Sequence, residues 1–261
     1  MNLKLSEEEK TRASSLFIEL IEIFRKLRDP QGGCPWDLKQ THQSLKQYLI
    51  EESYEAIDAI DASESNPQGL VEELGDVLLQ VMLHSQIASE SGRFGIEDII
   101  ATLSNKMIVR HPHVFGELKV SGTEEVLSNW EKIKQSEKKV NTEYLSGIPN
   151  ALPALQQAHR IGEKVARVGF DWNSVEEVKE KVVEELNEFL AEFKENSDRA
   201  KSEFGDLLFS LAQLSRKMGF SAEEALADGN KKFRGRFREI ERLLGDDLSN
   251  SSREQLEEAW K

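Results

Sequence analysis

The sequence predicts an all-α protein built as a tandem repeat of two helical bundles, and three observations carry that expectation. Apolar residues recur at three- and four-residue spacing through nearly all of the 261 residues, only six prolines and 16 glycines punctuate them, and strand-like alternation is absent. An acidic pattern also occurs twice in the same order. Residues 50–76 read IEESYEAIDAIDASESNPQGLVEELGD and residues 181–206 read KVVEELNEFLAEFKENSDRAKSEFGD, and each then enters a strongly apolar run. The period of about 130 residues is too long for a solenoid unit and suits a duplicated domain.

Taken in order, Leu16, Leu20, Ile23, Phe24 and Leu27 form one face of a first helix, ended by the turn-rich RDPQGGCPWD. A second helix is expected over 44–62, with Leu45, Leu49, Tyr54, Ile57 and Ile60 as its apolar positions. SESNPQG reads as a loop because Asn-Pro and the following glycine break helices. Helices over 70–91 and 96–110 follow, the latter ending at HPHVFG, and 121–138 reads as a surface helix around Trp130. The N-terminal domain is thus expected over 1–138 and the connection over 139–153, stiffened by Pro149 and Pro153. The C-terminal domain, 154–261, carries helices at 154–167, 174–196, 198–218 and 221–244. A short last helix starts after Ser252, which has capping-box spacing to Gln255.

Lys and Arg number 34 against 48 Asp and Glu, a formal charge of −14. That balance argues against a nucleic-acid partner, whose phosphates need a basic footprint. An anionic substrate would have to be met by metal ions and a few placed Lys or Arg. Cys34 is the single cysteine, which excludes an intramolecular disulfide and fits a reducing compartment. MNLKLSEEEKTR lacks the features of a signal peptide, and no apolar run approaches the ~20 residues of a membrane span. A soluble, cytoplasmic protein with no membrane partner is the expectation.

Glu184, Glu185 and Glu188 fall within one helical turn, and Glu203 and Asp206 form a second pair three residues apart. The first half repeats this with Glu51, Glu52 and Glu55, then Glu73 and Asp76. Two helices packed antiparallel would point four or five carboxylates into one cleft. Such groups repel one another, and a divalent cation with a taste for oxygen ligands, Mg²⁺ or Mn²⁺, relieves the repulsion. Ordinary solvated acidic faces are the alternative, but they would not recur in the same order and context. A carboxylate-bridged di-iron site would place histidine where Glu55 and Glu188 stand. Glycoside hydrolysis uses two carboxylates and leaves the others unexplained. Metal-dependent phosphoryl or nucleotidyl chemistry accounts for all of them.

EESYE followed by ELGD, EELNE followed by EFGD, the loop GGCPWD, and RHPHVFG together resemble the MazG family of nucleoside triphosphate pyrophosphohydrolases in its tandem two-domain form. The resemblance runs from about residue 16 to residue 261. It implies an all-α bundle, assembled as a homodimer, that uses Mg²⁺ to convert NTPs and dNTPs to the monophosphate and pyrophosphate. On that resemblance Glu185, Glu188, Glu203 and Asp206 hold metal, as do Glu52, Glu55, Glu73 and Asp76 in the first half. Glu184 either orients or deprotonates the attacking water or is a solvent-facing or salt-bridged residue. Lys181, Lys232 and Arg236 clamp phosphates, and Trp260 stacks on the base, a contact indifferent to base identity.

The halves differ beyond the carboxylates. Tyr48 stands in register with Lys181, and Met107 and His111 stand where the second half has Lys232 and Arg236. The C-terminal site is therefore expected to be the main catalyst, and the N-terminal one structural, regulatory or weakly active. Other readings stay open: a dUTP or phosphoribosyl-ATP pyrophosphohydrolase of the same all-α type, or a metal-dependent nucleotide sensor without turnover. His111 and His113 read as a helix-ending turn, Cys34 as a packed loop residue, and Trp36 and Trp172 as loop anchors.

Overall fold

The computed structural model describes residues 4–136, 143–193 and 198–260. Among them all regular elements are helical, and the only β feature is an isolated bridge between Ser146 and Ile148. The chain forms two compact units, Met1–Lys138 and Lys139–Lys261.

In the first unit α1 (Glu7–Leu27) opens with a reciprocal cap: Ser6 Oγ accepts from the Glu9 amide and the Glu9 carboxylate accepts from the Ser6 amide. The short α2 (Pro35–Lys39) precedes α3 (Lys46–Asp61) and α4 (Pro67–Glu90), which form a helical hairpin. α5 (Ile96–Arg110) packs on α4, α6 (Pro112–Phe115) follows directly, and α7 (Thr123–Ser136) packs on α5. Phe24, Leu45, Met82, Leu83 and Ile96 form the core. Burial of such side chains stabilises by about 1.5–3 kcal/mol each.

The second unit contains α8 (Ala154–Ala166), the hairpin of α9 (Val175–Ala191) and α10 (Asp198–Lys217), α11 (Ala222–Leu244), a 3-10 turn (Gly245–Asn250) and α12 (Arg253–Trp260). α10 packs on α9 and α8, and α12 folds back on α11. Gly162 lets α8 and α10 approach closely: a Cβ there would lie 1.8 Å from Gln213 Oε1. Gln213 is fully buried, donates 2.7 Å to the Ala158 carbonyl, and accepts 2.8 Å from Arg216.

Three segments differ from the sequence reading for one physical reason. Pro67, Pro35 and Pro112 each begin a helix, because proline's fixed φ suits the first helical position and its missing N–H is not needed there. α4 therefore starts inside the expected loop, with Asn66 Oδ1 accepting 3.1 Å from the Gly69 amide, and short helices replace two expected turns. Residues 143–153, within the expected connection, lie along α8: Tyr144 Oη donates to the Lys164 carbonyl, Lys164 Nζ to the Ser146 carbonyl, and Gln157 Nε2 to the Pro149 carbonyl. The expected positions 139–142, 137–138 of the seventh helix and 194–196 of the ninth fall outside the described residues.

Ile57 and Ile60, read as apolar positions of the second helix, are left open, and so are large apolar residues elsewhere on the hairpins. Ile57, Ile60, Leu74 and Leu78 on the first hairpin, and Leu190, Phe193, Phe204 and Leu208 on the second, are 38–70% exposed. These are matching registers of the two copies.

Candidate active site

Each hairpin brings three carboxylates together. Glu52 and Glu55 come from α3 and Glu73 from α4, and one ligand oxygen of each lies within 4.8 Å of the others. Glu185 and Glu188 from α9 and Glu203 from α10 repeat the arrangement with the same limit of 4.8 Å. The helix spacing explains the local geometry, since residues three apart project from one face and the antiparallel partner supplies the third group. Asp76 is close enough for its charge to act on Glu52 and Glu73. Asp206 follows Glu203 by one turn on α10 and is exposed.

The electrostatics of the two clusters differ. In the first, burial, followed by the charges of Asp76, Glu55, Glu73 and Glu51, raises the Glu52 carboxyl above its ordinary range. Glu73 is likewise raised, by burial first and then by Glu55 and Asp76. Its Oε2 is buried without a hydrogen-bond partner. In the second cluster Lys181 Nζ lies 2.7 Å from Glu185 Oε1 and 2.9 Å from Glu184 Oε1. Those contacts, with Glu185 first, lift the lysine above the ordinary lysine range. Glu185 is itself only 7% exposed, whereas Glu184 and Glu188 are exposed.

These residues fit a divalent cation. The donor set is all oxygen, one buried carboxylate oxygen lacks a partner, and in the other cluster an ammonium already sits against a buried carboxylate.

The remaining sequence-selected residues form a second group in the C-terminal unit. Arg236 Cζ lies 5.6 Å over the Trp260 ring, and Phe233 packs on the same indole at 5.0 Å. Lys232 is one turn before Arg236 on α11 and exposed. α11 packs against α10, the helix of Glu203 and Asp206.

Sequence reasoning placed Met107 and His111 on the register of Lys232 and Arg236 but did not join Trp130 to them. The ring of His111 packs edge-on against Trp130 at 4.7 Å and its Nδ1 lies 2.6 Å from the Met107 carbonyl oxygen. A helix trailing the bundle thus lays a tryptophan on the Arg236 register in both units. The signal was legible: Trp130 and Trp260 are as far apart in the chain as Glu73 and Glu203, or Asp76 and Asp206.

The turns ahead of the hairpins are ion-paired to their bundles. Arg28 makes a two-pronged pair with Glu90 at 2.7 and 2.8 Å and donates to the carbonyls of Asp37 and Gln40, which fastens α2. Asp171, in the corresponding DWNS turn, is held by Arg216 at 2.5 Å and Lys217 at 2.9 Å. Trp36 packs edge-on against Tyr48 at 5.7 Å, so it anchors the turn on α3. Cys34 is partly buried at the start of α2.

The fold and site define an all-α protein of two bundles, each presenting a carboxylate cluster on a helical hairpin, and comparison with known sequences narrows that class. The profile of the MazG nucleotide pyrophosphohydrolase domain matches residues 40–115 and 173–240. Those two segments hold both carboxylate clusters, Lys181, Lys232 and Arg236. A Thermotoga maritima protein named nucleoside triphosphate pyrophosphohydrolase/pyrophosphatase MazG is 49% identical over 253 residues, covering 95% of this chain and 96% of its own. The Escherichia coli K12 nucleoside triphosphate pyrophosphohydrolase is 42% identical over 250 residues, 93% and 94% of the two chains. An uncharacterized Bacillus subtilis protein, YabN, is 48% identical over 244 residues, 91% of this chain and 49% of its own. This chain belongs to the MazG nucleotide pyrophosphohydrolase family.

Proposed function

We infer that the chain is a nucleoside triphosphate pyrophosphohydrolase, cleaving NTPs and dNTPs between the α- and β-phosphates to release the monophosphate and pyrophosphate. The observation that carries this reading is the clustering of Glu185, Glu188 and Glu203 within 4.8 Å on the α9–α10 hairpin. Relatives at 49% and 42% identity bear the same activity in their names.

Glu185, Glu188, Glu203 and Asp206 are the groups we assign to Mg²⁺, with Mn²⁺ as a substitute. The cation, when bound, neutralises phosphate oxygens and makes water a better nucleophile at neutral pH. Glu184, exposed beside the cluster, orients the attacking water. Lys181, Lys232 and Arg236 hold the anionic phosphates. Trp260, already carrying Arg236 on one side, stacks the base through its π-face, which accommodates any nucleobase. The first unit offers carboxylates without this clamp: Tyr48 replaces Lys181, and the His111 ring is engaged by Trp130. We assign main turnover to the second unit.

The matched exposed stripes on the two hairpins are the surface we assign to a second copy of the chain, since large apolar side chains recur at the same exposed positions in both repeats. No helix of the described residues is long and apolar enough to cross a membrane. The lone Cys34 suits the reducing cytoplasm, where we place the protein.

The test is pyrophosphate release from mixed NTPs and dNTPs with Mg²⁺. Glu185→Ala/Glu188→Ala should lower turnover at least about 100-fold, and Glu52→Ala/Glu55→Ala should retain it. Arg236→Ala should act mainly on KM, raising it about tenfold or more through loss of a charged phosphate contact. Saturable nucleotide binding with no pyrophosphate from the wild type would turn the reading into that of a sensor.

A further inference from the structure

The two carboxylate clusters differ in one contact. In the second unit the Lys181 ammonium hydrogen-bonds both Glu184 and the buried Glu185, at 2.9 and 2.7 Å. In the first unit the same register holds Tyr48, whose ring is committed to Trp36, and the buried Glu73 Oε2 has no partner. One cluster carries its own cation; at the other, no Lys or Arg contact to Glu52, Glu55 or Glu73 is found among the described residues.

An ammonium at 2.7 Å from Glu185 Oε1 takes up one of the acceptor sites of that carboxylate, and its charge opposes a second cation at such range. Lysine is nonetheless a flexible donor on a four-carbon stem, and the Lys181 side chain is 35% exposed, so it has a path away from the cluster. A polyphosphate arriving beside the hairpin gives that ammonium an alternative anionic partner.

We propose that Lys181 is an exchangeable counter-ion: without nucleotide it stands in for the divalent cation at Glu185, and it transfers to a phosphate when a triphosphate binds. Divalent-cation binding in the second unit is thereby coupled to nucleotide binding, while the first unit takes its cation without nucleotide. The inference rests on the assignment of Glu185, Glu188 and Glu203 to metal made above. It adds an order to events: the hydrolytic site is charged with metal mainly when substrate is present. Coupling of this kind is reciprocal, so metal also tightens nucleotide.

The test is Mn²⁺ binding to the full chain, read as loss of the free-Mn²⁺ EPR signal, with and without an α,β-methylene nucleoside triphosphate. On a Glu52→Gln/Glu55→Gln background only the second unit is titrated. There Lys181→Met should tighten nucleotide-free Mn²⁺ binding about tenfold and shrink the enhancement produced by the analogue by a similar factor. Lys181→Arg, which keeps the positive charge, should retain the weak nucleotide-free affinity. On a Glu185→Gln/Glu188→Gln background Tyr48→Lys should weaken the first unit. Unchanged or weaker Mn²⁺ binding in a folded Lys181→Met protein, checked by circular dichroism, overturns the exchange while leaving the metal assignment standing. Persistence of the second-unit signal in Glu185→Gln/Glu188→Gln overturns both.

Discussion

Glu52 and Glu73 are held above the usual carboxylate range, chiefly by burial and then by their acidic neighbours. A carboxyl whose folded pKa exceeds its unfolded value of about 4.3 binds more protons in the folded state. Its contribution therefore worsens as pH rises from that value through the raised one, and stays unfavourable at neutrality. Glu73→Gln should accordingly raise the melting temperature of the protein in EDTA at pH 7, and the gain should fade as pH drops towards the ordinary carboxylate value. Asp171 has the opposite sign. Although burial opposes it, hydrogen bonds from Arg216 and Lys217 depress its pKa, so it stabilises above the ordinary aspartate value and loses that effect on acidification. Melts of Glu73→Gln across that pH range are the check; a benefit constant with pH would remove the electrostatic account. The clustering was legible as residue spacing, because helical period fixes which carboxylates share a face. The Lys181 contact was legible only as proximity in sequence. Periodicity does not tell whether an ammonium reaches back to Glu185 or outward to solvent.

The hairpins are the elements on which the site depends, and α8 fixes the second of them through α10. At Gly162 an added methyl would collide with Gln213 Oε1, and Gln213 cannot retreat without giving up its bond to the Ala158 carbonyl and its contact with Arg216. Gly162→Ala should destabilise the second unit by about 1–3 kcal/mol, as overpacking does, measurable by urea denaturation. Unaltered stability would mean that the helices separate at little cost. Most of the helices could be read from apolar spacing, and the corrections came from proline. In SNPQG, GGCPWD and RHPHVFG it opens a helix instead of closing one, and the choice depends on which residues follow it in the first turn. Gly162 itself gave no signal, since close helix approach is a tertiary fact.

At the scale of the whole molecule the duplication is legible in the acidic motifs and, less obviously, in Trp130 and Trp260. The exposed stripe was not. Ile57, Ile60, Leu190 and Phe193 sit at helical spacing like core residues, and a sequence pattern cannot say whether their burial comes from within the chain or from another copy. Sedimentation equilibrium should give a dimer for the wild type and a lighter species for Ile57→Glu/Leu190→Glu; a wild-type monomer would remove the second copy from this surface.

The α3–α4 hairpin turns at Ala62–Asn66 through short-range backbone bonds, with Glu64 exposed at its tip. Above it, Glu52 and Glu55 face Glu73 with no lysine between them among the described residues, whereas α9 brings Lys181 to its own cluster. The Lys181 pairs lie within α9, so in either copy the cation assigned above would be what ties the two helices of the hairpin together across the cluster, and chelation would loosen the tie. A glutamate-specific protease should cut at Glu64 faster in EDTA than with Mn²⁺, and equal rates would take the cation off the first hairpin.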